Sequence, residues 1–144
     1  KAGAEKAGEK KGETKQSSDE KTGENGPQGE MDVEAKPEIA YEDFDKLQFQ
    51  VGEIIACEAV KKSKKLLCSQ VKIGNQVKQI LSGIKQYYTP EEMVGKKVMV
   101  LVNLKPATMA GIVSEGMLLC AEDADGNLAL VSPEKEMPSG APIC

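Results

Sequence analysis

The chain has 144 residues, and its 19 basic side chains are all lysine against 23 acidic ones, so arginine and histidine are both absent. Without histidine there can be no Ser-His-Asp or Cys-His catalysis, no histidine metal ligand and no histidine pH switch. Without arginine, no guanidinium can hold a phosphate through two parallel hydrogen bonds. The five aromatic residues (three Tyr, two Phe) are too few for an extensive base-stacking surface.

The sequence contains no run of about 18 apolar residues and no secretory leader, so we expect neither a membrane span nor a signal peptide. A start at Lys1 rather than methionine leads us to expect a fragment of a longer chain. Cys57, Cys68, Cys120 and Cys144 lack zinc-knuckle spacing. Because three of them lie in apolar stretches, we favour core-filling thiols over a disulfide or metal role. We therefore expect no metal, no cofactor and a reducing, cytoplasmic location.

The first 30 residues form a segment of low complexity. Their only apolar side chains are three alanines, and Lys, Glu and Gly make up most of the rest. Such a segment cannot bury enough apolar area to offset the entropy lost on ordering. Pro37 keeps the following approach extended. We predict a disordered low-complexity linker over residues 1–40 and one folded domain over residues 41–144.

Charge is distributed unevenly along the predicted domain. Residues 41–60 carry one lysine and five acids, residues 61–105 carry ten lysines and two acids, and residues 106–144 carry one lysine and six acids. The net charge of −4 therefore conceals a strongly basic middle section. The distribution of charge therefore matters more than the net charge, and a local basic stretch in an acidic chain favours binding of a polyanionic partner at that stretch.

The apolar pattern of the first half is typical of strands. Alternation predicts a long first strand over residues 47–60, with Gly52 as a bulge or coil point, and a second strand over residues 66–73. Leu67, Val71 and Ile73 should share one face of the second strand. Gly74-Asn75 is a turn pair that leads into a third strand over residues 77–81.

A short helix is marked between the third and fourth strands. Thr89 is a suitable N-cap, Pro90 occupies the first helical position and Glu92 the third, and Gly95 can end the helix. A weaker helical turn is predicted over residues 43–47.

The second half is also typical of strands. Residues 97–104 are apolar and β-branched, as in a buried strand, and residues 116–121 and 128–131 flank the turn pair Asp125-Gly126. This order predicts an all-β fold: a five-stranded OB-fold barrel with one short helix between strands 3 and 4 and a C-terminal β extension. A small β-sandwich is the alternative.

The first candidate site is the lysine run at residues 61–65, between the first two predicted strands. In an OB-fold this loop borders the ligand face, and its four ammonium groups would attract a phosphate backbone. The alternative is a solvated loop that aids solubility. Further lysines could extend a positive field along a groove for RNA. They stand at positions 72, 78, 85, 96, 97 and 105.

Three short motifs supply other candidates. At residues 103–106, Asn103 and Lys105 could read a base edge and a phosphate together, or simply form a strand end. Ser82 lies beside a glycine that would let a ligand backbone approach closely. Within residues 114–117, Glu115 could accept from an exocyclic amine or orient Lys105, or it could cap a loop.

Tyr87 and Tyr88 could stack on bases, but packing of the short helix onto the barrel is the preferred interpretation. No paired carboxylates in an acid/base arrangement and no Walker-type phosphate loop occur in the sequence. We therefore expect no catalytic site in this chain.

At these motifs the chain resembles the tRNA-binding domain found at the C-terminus of many bacterial methionyl-tRNA synthetases. The same module occurs in a stand-alone dimeric tRNA-binding protein, a chaperone-like secretion protein, phenylalanyl-tRNA synthetase β chains and a eukaryotic cytokine precursor. The resemblance covers about residues 42–144. It is carried by Val51-Gly52, SKKLL (63–67), LSGIK (81–85), VGKK (94–97), NLKPA (103–107) and MAGIVSEGM (109–117).

The resemblance implies an OB-fold that binds tRNA by shape and backbone, and a homodimer that pairs through its C-terminal extension. Two departures from many relatives stand out: Thr108 and Ala110 replace basic residues, whereas Lys64 replaces aspartate. The residues that the resemblance places at the RNA face are Ser82, Asn103, Lys105, Ser114, Glu115 and Met117, with Lys64, Lys65 and Lys85 as backbone contacts.

The sequence thus predicts a non-catalytic tRNA-binding and homodimerisation module that aids aminoacylation. It would be joined in cis to the catalytic synthetase domain of a methionine–tRNA ligase. A module that serves dimerisation alone is one alternative. A chaperone-like or cytokine-like peptide-binding protein of the same fold is another. Its apolar surface would comprise Met109, Ile112, Val113 and Met117.

Overall fold

Ten short strands and two short helices make up the computed structural model, which describes residues 30–144. Residues 30–40 are exposed and without regular secondary structure, and most of the linker predicted over residues 1–40 lies outside the described residues. The elements in chain order are α1 (Tyr41–Asp45), β1 (Phe49–Ala59), β2 (Leu67–Ile73), β3 (Gln76–Ser82), α2 (Pro90–Met93), β4 (Lys97–Leu101), β5 (Ala107–Met109), β6 (Ile112–Ser114), β7 (Met117–Leu118), β8 (Cys120–Glu122), β9 (Leu128–Leu130) and β10 (Pro142–Ile143).

The main sheet is antiparallel, with strand order β3-β2-β1-β4-β7, and β10 pairs with the start of β1. The sheet curls into a half-barrel in which the two edge strands, β3 and β7, contact each other. Strands β5 and β6 form a separate hairpin, as do β8 and β9. The predicted all-β class and the helix between the third and fourth strands are confirmed. Five strands form the path of the main sheet, and β10, from the C-terminal part of the chain, pairs with β1 as a sixth.

The core follows from the alternation of each strand. Leu67, Val71 and Ile73 of β2 share the inner face, as predicted, and all three are buried. Burial of this apolar surface is the main favourable term in folding, at about 25 cal/mol per Å². The other buried members of this core are Ile54, Ile80, Ile84, Met93, Val98, Val100, Val102 and Leu118. A smaller cluster of Val60, Cys68 and Leu81 packs with Leu66 and Ile112.

Gly52 is required by packing rather than by a bulge. The register of β1 against β2 shifts between Ile54 and Ala56, so the bulge lies at Ile55 and not at Gly52. Gly52 lies instead where β1 passes from pairing with β4, through Glu53, to pairing with β2, from Glu53 onward, as the alternative of a coil point predicts. A Cβ atom at Gly52 would lie 2.5 Å from Cγ1 of Val71 and 2.8 Å from Cγ2 of Val100. Two neighbouring strands therefore bring their side chains directly over this position.

Helix α2 begins as its sequence predicts. The Thr89 hydroxyl accepts from the Glu92 N–H at 3.2 Å, and the Glu92 carboxylate accepts from the Thr89 N–H at 2.7 Å. Gly95 follows with φ of +96°. Helix α1 covers Tyr41–Asp45, two residues earlier than the predicted 43–47. Within residues 30–144 neither helix has the length and apolar character to cross a lipid bilayer.

The fourth strand is shorter than predicted, because it ends at Leu101 rather than at residue 104. A hairpin that the sequence did not predict follows it, with Ala110 (φ +50°) and Gly111 (φ +80°) in the turn between β5 and β6. Positive φ at both central residues is the geometry of a type I′ turn, for which Asn-Gly is the usual signature. Because alanine rather than asparagine occupies the first of these positions, the sequence did not predict this turn.

The curled sheet closes through residues 113–116, which we call the closure segment. The Glu115 N–H donates to the Gln79 carbonyl at 2.7 Å, and the Gln79 N–H donates to Oε1 of Glu115 at 2.8 Å. The Leu81 N–H donates to Oγ of Ser114 at 3.0 Å, and Ser114 is 2% exposed. These bonds satisfy backbone donors of β3 that would otherwise form an open sheet edge.

The C-terminal segment, residues 131–144, lies along β1 and β4. The Val51 N–H donates to the Ala141 carbonyl at 2.9 Å, and the Met99 N–H donates to the Val131 carbonyl at 2.8 Å. Nζ of Lys97 contacts the Glu136 carboxylate at 2.7 Å. Hydrogen bonding from Lys97 and its positive charge lower the pKa of Glu136. This contact is therefore complete near neutral pH and weakens as the pH falls through that lowered pKa.

We expect Gly52→Ala to lower the free energy of unfolding by about 1–3 kcal/mol, because the added methyl group would overpack the space between β2 and β4. Urea unfolding followed by circular dichroism measures the change. Gly83→Ala is the matched control, since a Cβ atom at Gly83 would meet nothing within 4 Å. Equal stability of the two variants would contradict this packing role.

We expect Ser114→Ala to lower the free energy of unfolding by about 1–3 kcal/mol, because it leaves the buried Leu81 N–H without a hydrogen-bond partner. Thermal and urea unfolding provide the measurement, with the exposed Ser132→Ala as the control. If Ser114→Ala unfolded at the same urea concentration as the parent protein, the closure segment would not hold β3 as described.

Candidate nucleic-acid interface

Five lysines gather at one end of the half-barrel, and we call them the cationic end. In the loop between β1 and β2, Oγ of Ser63 accepts a hydrogen bond from the Lys65 N–H at 3.1 Å. Lys85 contacts the same loop through two hydrogen bonds. Its Nζ donates to the Ser63 carbonyl at 3.1 Å, and its backbone N–H donates to the Lys65 carbonyl at 3.0 Å. The cationic end comprises Lys61, Lys62, Lys64, Lys65 and Lys85.

The charge of the cationic end is not neutralised by ion pairs within residues 30–144. The ion pairs of that region join Lys46 to Asp43 and Lys97 to Glu136. The four loop lysines are exposed, and Lys85 is half-buried. A cluster of free ammonium groups is what a phosphate backbone requires for contact and counterion release.

A cleft of about 370 Å³ separates the lysine loop from the tip of the β5–β6 hairpin. Lys61 and Lys62 line one side, Ala110 and Gly111 line the other, and Glu58 lies at its edge. The loops that flank this cleft correspond to those that border the ligand face of OB-folds. Lys61 and Lys62 belong to the lysine run that the sequence predicted as the first candidate site, although the resemblance placed only Lys64 and Lys65 of that run among the backbone contacts.

The predicted Asn103–Lys105 pair lies at the other end of β1. Oδ1 of Asn103 accepts from the Gln48 N–H at 3.0 Å, and Nδ2 donates to the Lys46 carbonyl at 2.8 Å. The amide of Asn103 thus holds the entry to β1. Both residues are exposed, but Lys105 is the one whose side chain has no hydrogen-bond or ion-pair partner in residues 30–144. These two residues are separated from the cationic end by the eleven residues of β1.

The predicted serines are buried at their hydroxyl groups. Oγ of Ser114 is used in the closure of the barrel, and its contact with RNA stays a prediction. The Glu115 carboxylate is likewise bonded to β3. Oγ of Ser82 is buried without a hydrogen-bond partner. Met117 remains 41% exposed on β7.

The lysines of residues 61–105 do not form a single strip. Lys72 pairs with Val77, and Lys78 pairs with Val71. Paired residues share a face of the sheet, whereas neighbours along a strand point to opposite faces, so Lys72 and Lys78 lie on opposite faces of the β2–β3 hairpin. Nζ of Lys96 lies 5.5 Å from the ring centroid of Tyr88. Lys97 is bonded to Glu136, and Lys72 and Lys78 point to opposite faces, so the densest group of lysines without ion pairs in residues 30–144 is the cationic end.

The hydroxyl groups of both tyrosines bond to the β8–β9 hairpin, although the side chain of Tyr87 remains 39% exposed. The Tyr87 hydroxyl donates to the Gly126 carbonyl at 2.7 Å, and the Tyr88 hydroxyl accepts from the Leu130 N–H at 3.0 Å. Tyr88 also packs against the main core, which agrees with the packing interpretation for that residue alone.

Burial raises the pKa of the thiols of Cys57, Cys68 and Cys120, so these groups are neutral and weakly nucleophilic near pH 7. Cys68 is a buried member of the smaller apolar cluster, and Cys57 and Cys120 pack against the main core. Within residues 30–144 no three acidic or thiol side chains lie close enough to hold a metal ion.

Known proteins resemble this chain over most of its folded part. A methionine–tRNA ligase from Deinococcus radiodurans is 44% identical over 123 residues, which cover 85% of this chain and 18% of that protein. The chain therefore spans less than a fifth of the length of this relative.

Two solved structures have the same fold. A MetRS-related protein from Pyrococcus horikoshii has a TM-score of 0.72 and 38% identity, covering 76% of this chain and 100% of its own. The chaperone CsaA from Bacillus anthracis has a TM-score of 0.69 and 27% identity, covering 75% of this chain and 100% of its own.

The family model described as "Putative tRNA binding domain" matches residues 49–142, which is more than half of the chain. The matched residues include every strand except part of β10, and they contain both the cationic end and the closure segment. The resemblance to the tRNA-binding domains of methionyl-tRNA synthetases is thereby confirmed, and the chain belongs to the tRNA-binding domain family.

Proposed function

We propose that residues 41–144 bind tRNA by its phosphate backbone, as a non-catalytic domain of a longer methionine–tRNA ligase. The observation that carries this proposal is the cationic end, where five lysines without ion-pair partners in residues 30–144 surround one loop. The family match supports tRNA as the polyanion. Lysine ammonium groups act as point charges, so they favour recognition of backbone and shape over base sequence.

The lysine contacts predict a modest affinity that falls with added salt, since each phosphate contact releases a condensed counterion. A tether makes a modest affinity useful. Residues 1–40, with the composition of a linker, would hold the domain near a catalytic domain in cis. A short flexible linker gives effective concentrations on the order of millimolar, which would raise tRNA occupancy and aid aminoacylation.

We also propose that the domain forms a homodimer through its C-terminal segment. An apolar groove of about 320 Å³ runs between that segment and β1 and β4. Its rim includes Val131 and Met137, which are 36% and 41% exposed. Such an exposed apolar patch usually marks a contact surface. A second copy would cover both grooves at once through a twofold axis.

A peptide-binding function is the second candidate. Met109, Val113 and Met117 are 37%, 45% and 41% exposed, whereas Ile112 packs against the smaller apolar cluster. Flexible methionine side chains adapt to varied apolar partners. The similarity to a chaperone supports this alternative. Competition between tRNA and an unfolded peptide for one surface would favour it over a module that serves dimerisation alone.

We expect the combined Lys62→Gln, Lys64→Gln and Lys65→Gln variant to bind tRNA at least about tenfold more weakly at low salt. The slope of log K against log salt concentration should become shallower by about one for each lost phosphate contact. Filter-binding titrations at several salt concentrations measure both quantities.

The charge-matched control for this titration changes Lys36, Lys46 and Lys135 to glutamine, which removes the same charge elsewhere. It should bind tRNA nearly as well as the parent chain. Equal losses in the two triple variants would assign binding to overall charge. Absence of binding by the parent chain at every salt concentration would eliminate RNA recognition.

We expect Met137→Glu combined with Val131→Glu to convert the dimer into a monomer of 15.4 kDa, because two carboxylates would be buried without partners in the apolar groove. Sedimentation equilibrium measures the mass. Val77→Glu on the outer face of β3, at 53% exposure, is the control. A parent chain that sediments as a monomer, or a double variant that remains dimeric, would refute this interface.

A further inference from the structure

The end of the half-barrel opposite the cationic end opens into a polar pocket of about 370 Å³, which we call the mouth pocket. Its walls come from the entry to β1, the β2–β3 turn, the end of β4 and the C-terminal segment. The hydrogen-bonding side chains that line it are Gln48, Gln50, Asn75, Gln76 and Lys78.

The mouth pocket is held open by bonds within its own wall. Nε2 of Gln50 donates to the Gly140 carbonyl at 2.9 Å, and Oε1 of Gln50 accepts from Nε2 of Gln48 at 3.2 Å. The backbone of Gly140 packs directly on Gly74, since a Cβ atom at Gly140 would lie 2.8 Å from the Gly74 Cα. The β2–β3 turn is thus pinned to the C-terminal segment, and the pocket is preformed.

Several polar groups in the mouth pocket are left free after these bonds are made. Within residues 30–144 the carboxamides of Asn75 and Gln76 have no hydrogen-bond partner, and Lys78 has no ion-pair partner. No carboxylate lines this pocket in the described part of the chain, so no negatively charged side chain there repels an anion. A carboxamide presents a donor beside an acceptor, which matches the edge of a nucleobase.

We propose that the mouth pocket binds one unpaired nucleotide of an RNA strand. The carboxamides of Asn75 and Gln76 and the free Oε1 of Gln48 take the base edge, and Nζ of Lys78 takes the phosphate. The volume lies in the range of small-molecule sites. This inference rests on the proposed function and deepens it, because it adds a base-reading contact at the opposite end of β1 from the backbone contacts.

The test is an NMR titration of the full chain with each of the four nucleoside 5′-monophosphates, with ribose 5-phosphate and inorganic phosphate as separate probes. We expect amide shifts concentrated at residues 74–78 whose size depends on the base. Weaker responses to the two base-free probes should accompany them. No response at residues 74–78, or equal responses to all probes, would overturn base recognition.

Variants separate the roles of the side chains. Lys78→Gln should weaken nucleotide binding about tenfold, the loss of one charge-assisted hydrogen bond. Asn75→Ala combined with Gln76→Ala should abolish the difference between bases. Lys72→Gln is the matched control, since Lys72 lies on the same hairpin but on the opposite face. Unchanged binding by Lys78→Gln would assign the phosphate elsewhere and overturn the proposed site.

Failure of this inference can be told apart from failure of the proposed function. If tRNA binds with the expected salt dependence but no nucleotide perturbs residues 74–78, only the mouth pocket is refuted. If nucleotides bind at residues 74–78 and the triple lysine variant still binds tRNA fully, only the backbone contact at the cationic end is refuted.

Discussion

The hydrogen bonds between the closure segment and β3 are the constraint on which the remaining structure depends. A curled antiparallel sheet has two open edges, and Ser114 and Glu115 satisfy the donors of one of them. Closure requires a glycine at position 116, since a Cβ atom there would lie 2.9 Å from the Leu101 carbonyl. Once the two edges meet, the loop at one end and the pocket at the other are both held in place.

The closed barrel determines where the lysines of the chain lie in space. Alternation along β2 and β3 sends Lys72 and Lys78 to opposite faces, and Lys97 is bonded to Glu136 of the C-terminal segment. The lysines of the β1–β2 loop have no such partners in residues 30–144. An acidic protein can therefore present one concentrated cationic surface, which suits electrostatic capture of a polyanion without general attraction to it.

Local patterns predicted the elements that depend on local physics. The cap of α2 requires only Thr89 and Glu92, three residues apart, and the inner face of β2 follows from alternation. The role of Asn103 could not be predicted, because its amide bonds to a carbonyl 57 residues away in the chain. The same holds for Ser114, whose partner Leu81 lies 33 residues earlier. The β5–β6 hairpin was missed because Ala110 occupies a turn position where asparagine is usual.

A chain whose basic side chains are all lysine permits one direct test of the RNA-binding surface. Lysine acylation can be measured residue by residue by mass spectrometry, with and without bound tRNA. If the loop contacts tRNA, Lys61, Lys62, Lys64 and Lys65 will be protected and Lys96 and Lys135 will be unchanged. Equal protection of all lysines, or protection of Lys96 and Lys135 while the loop stays reactive, would contradict that contact.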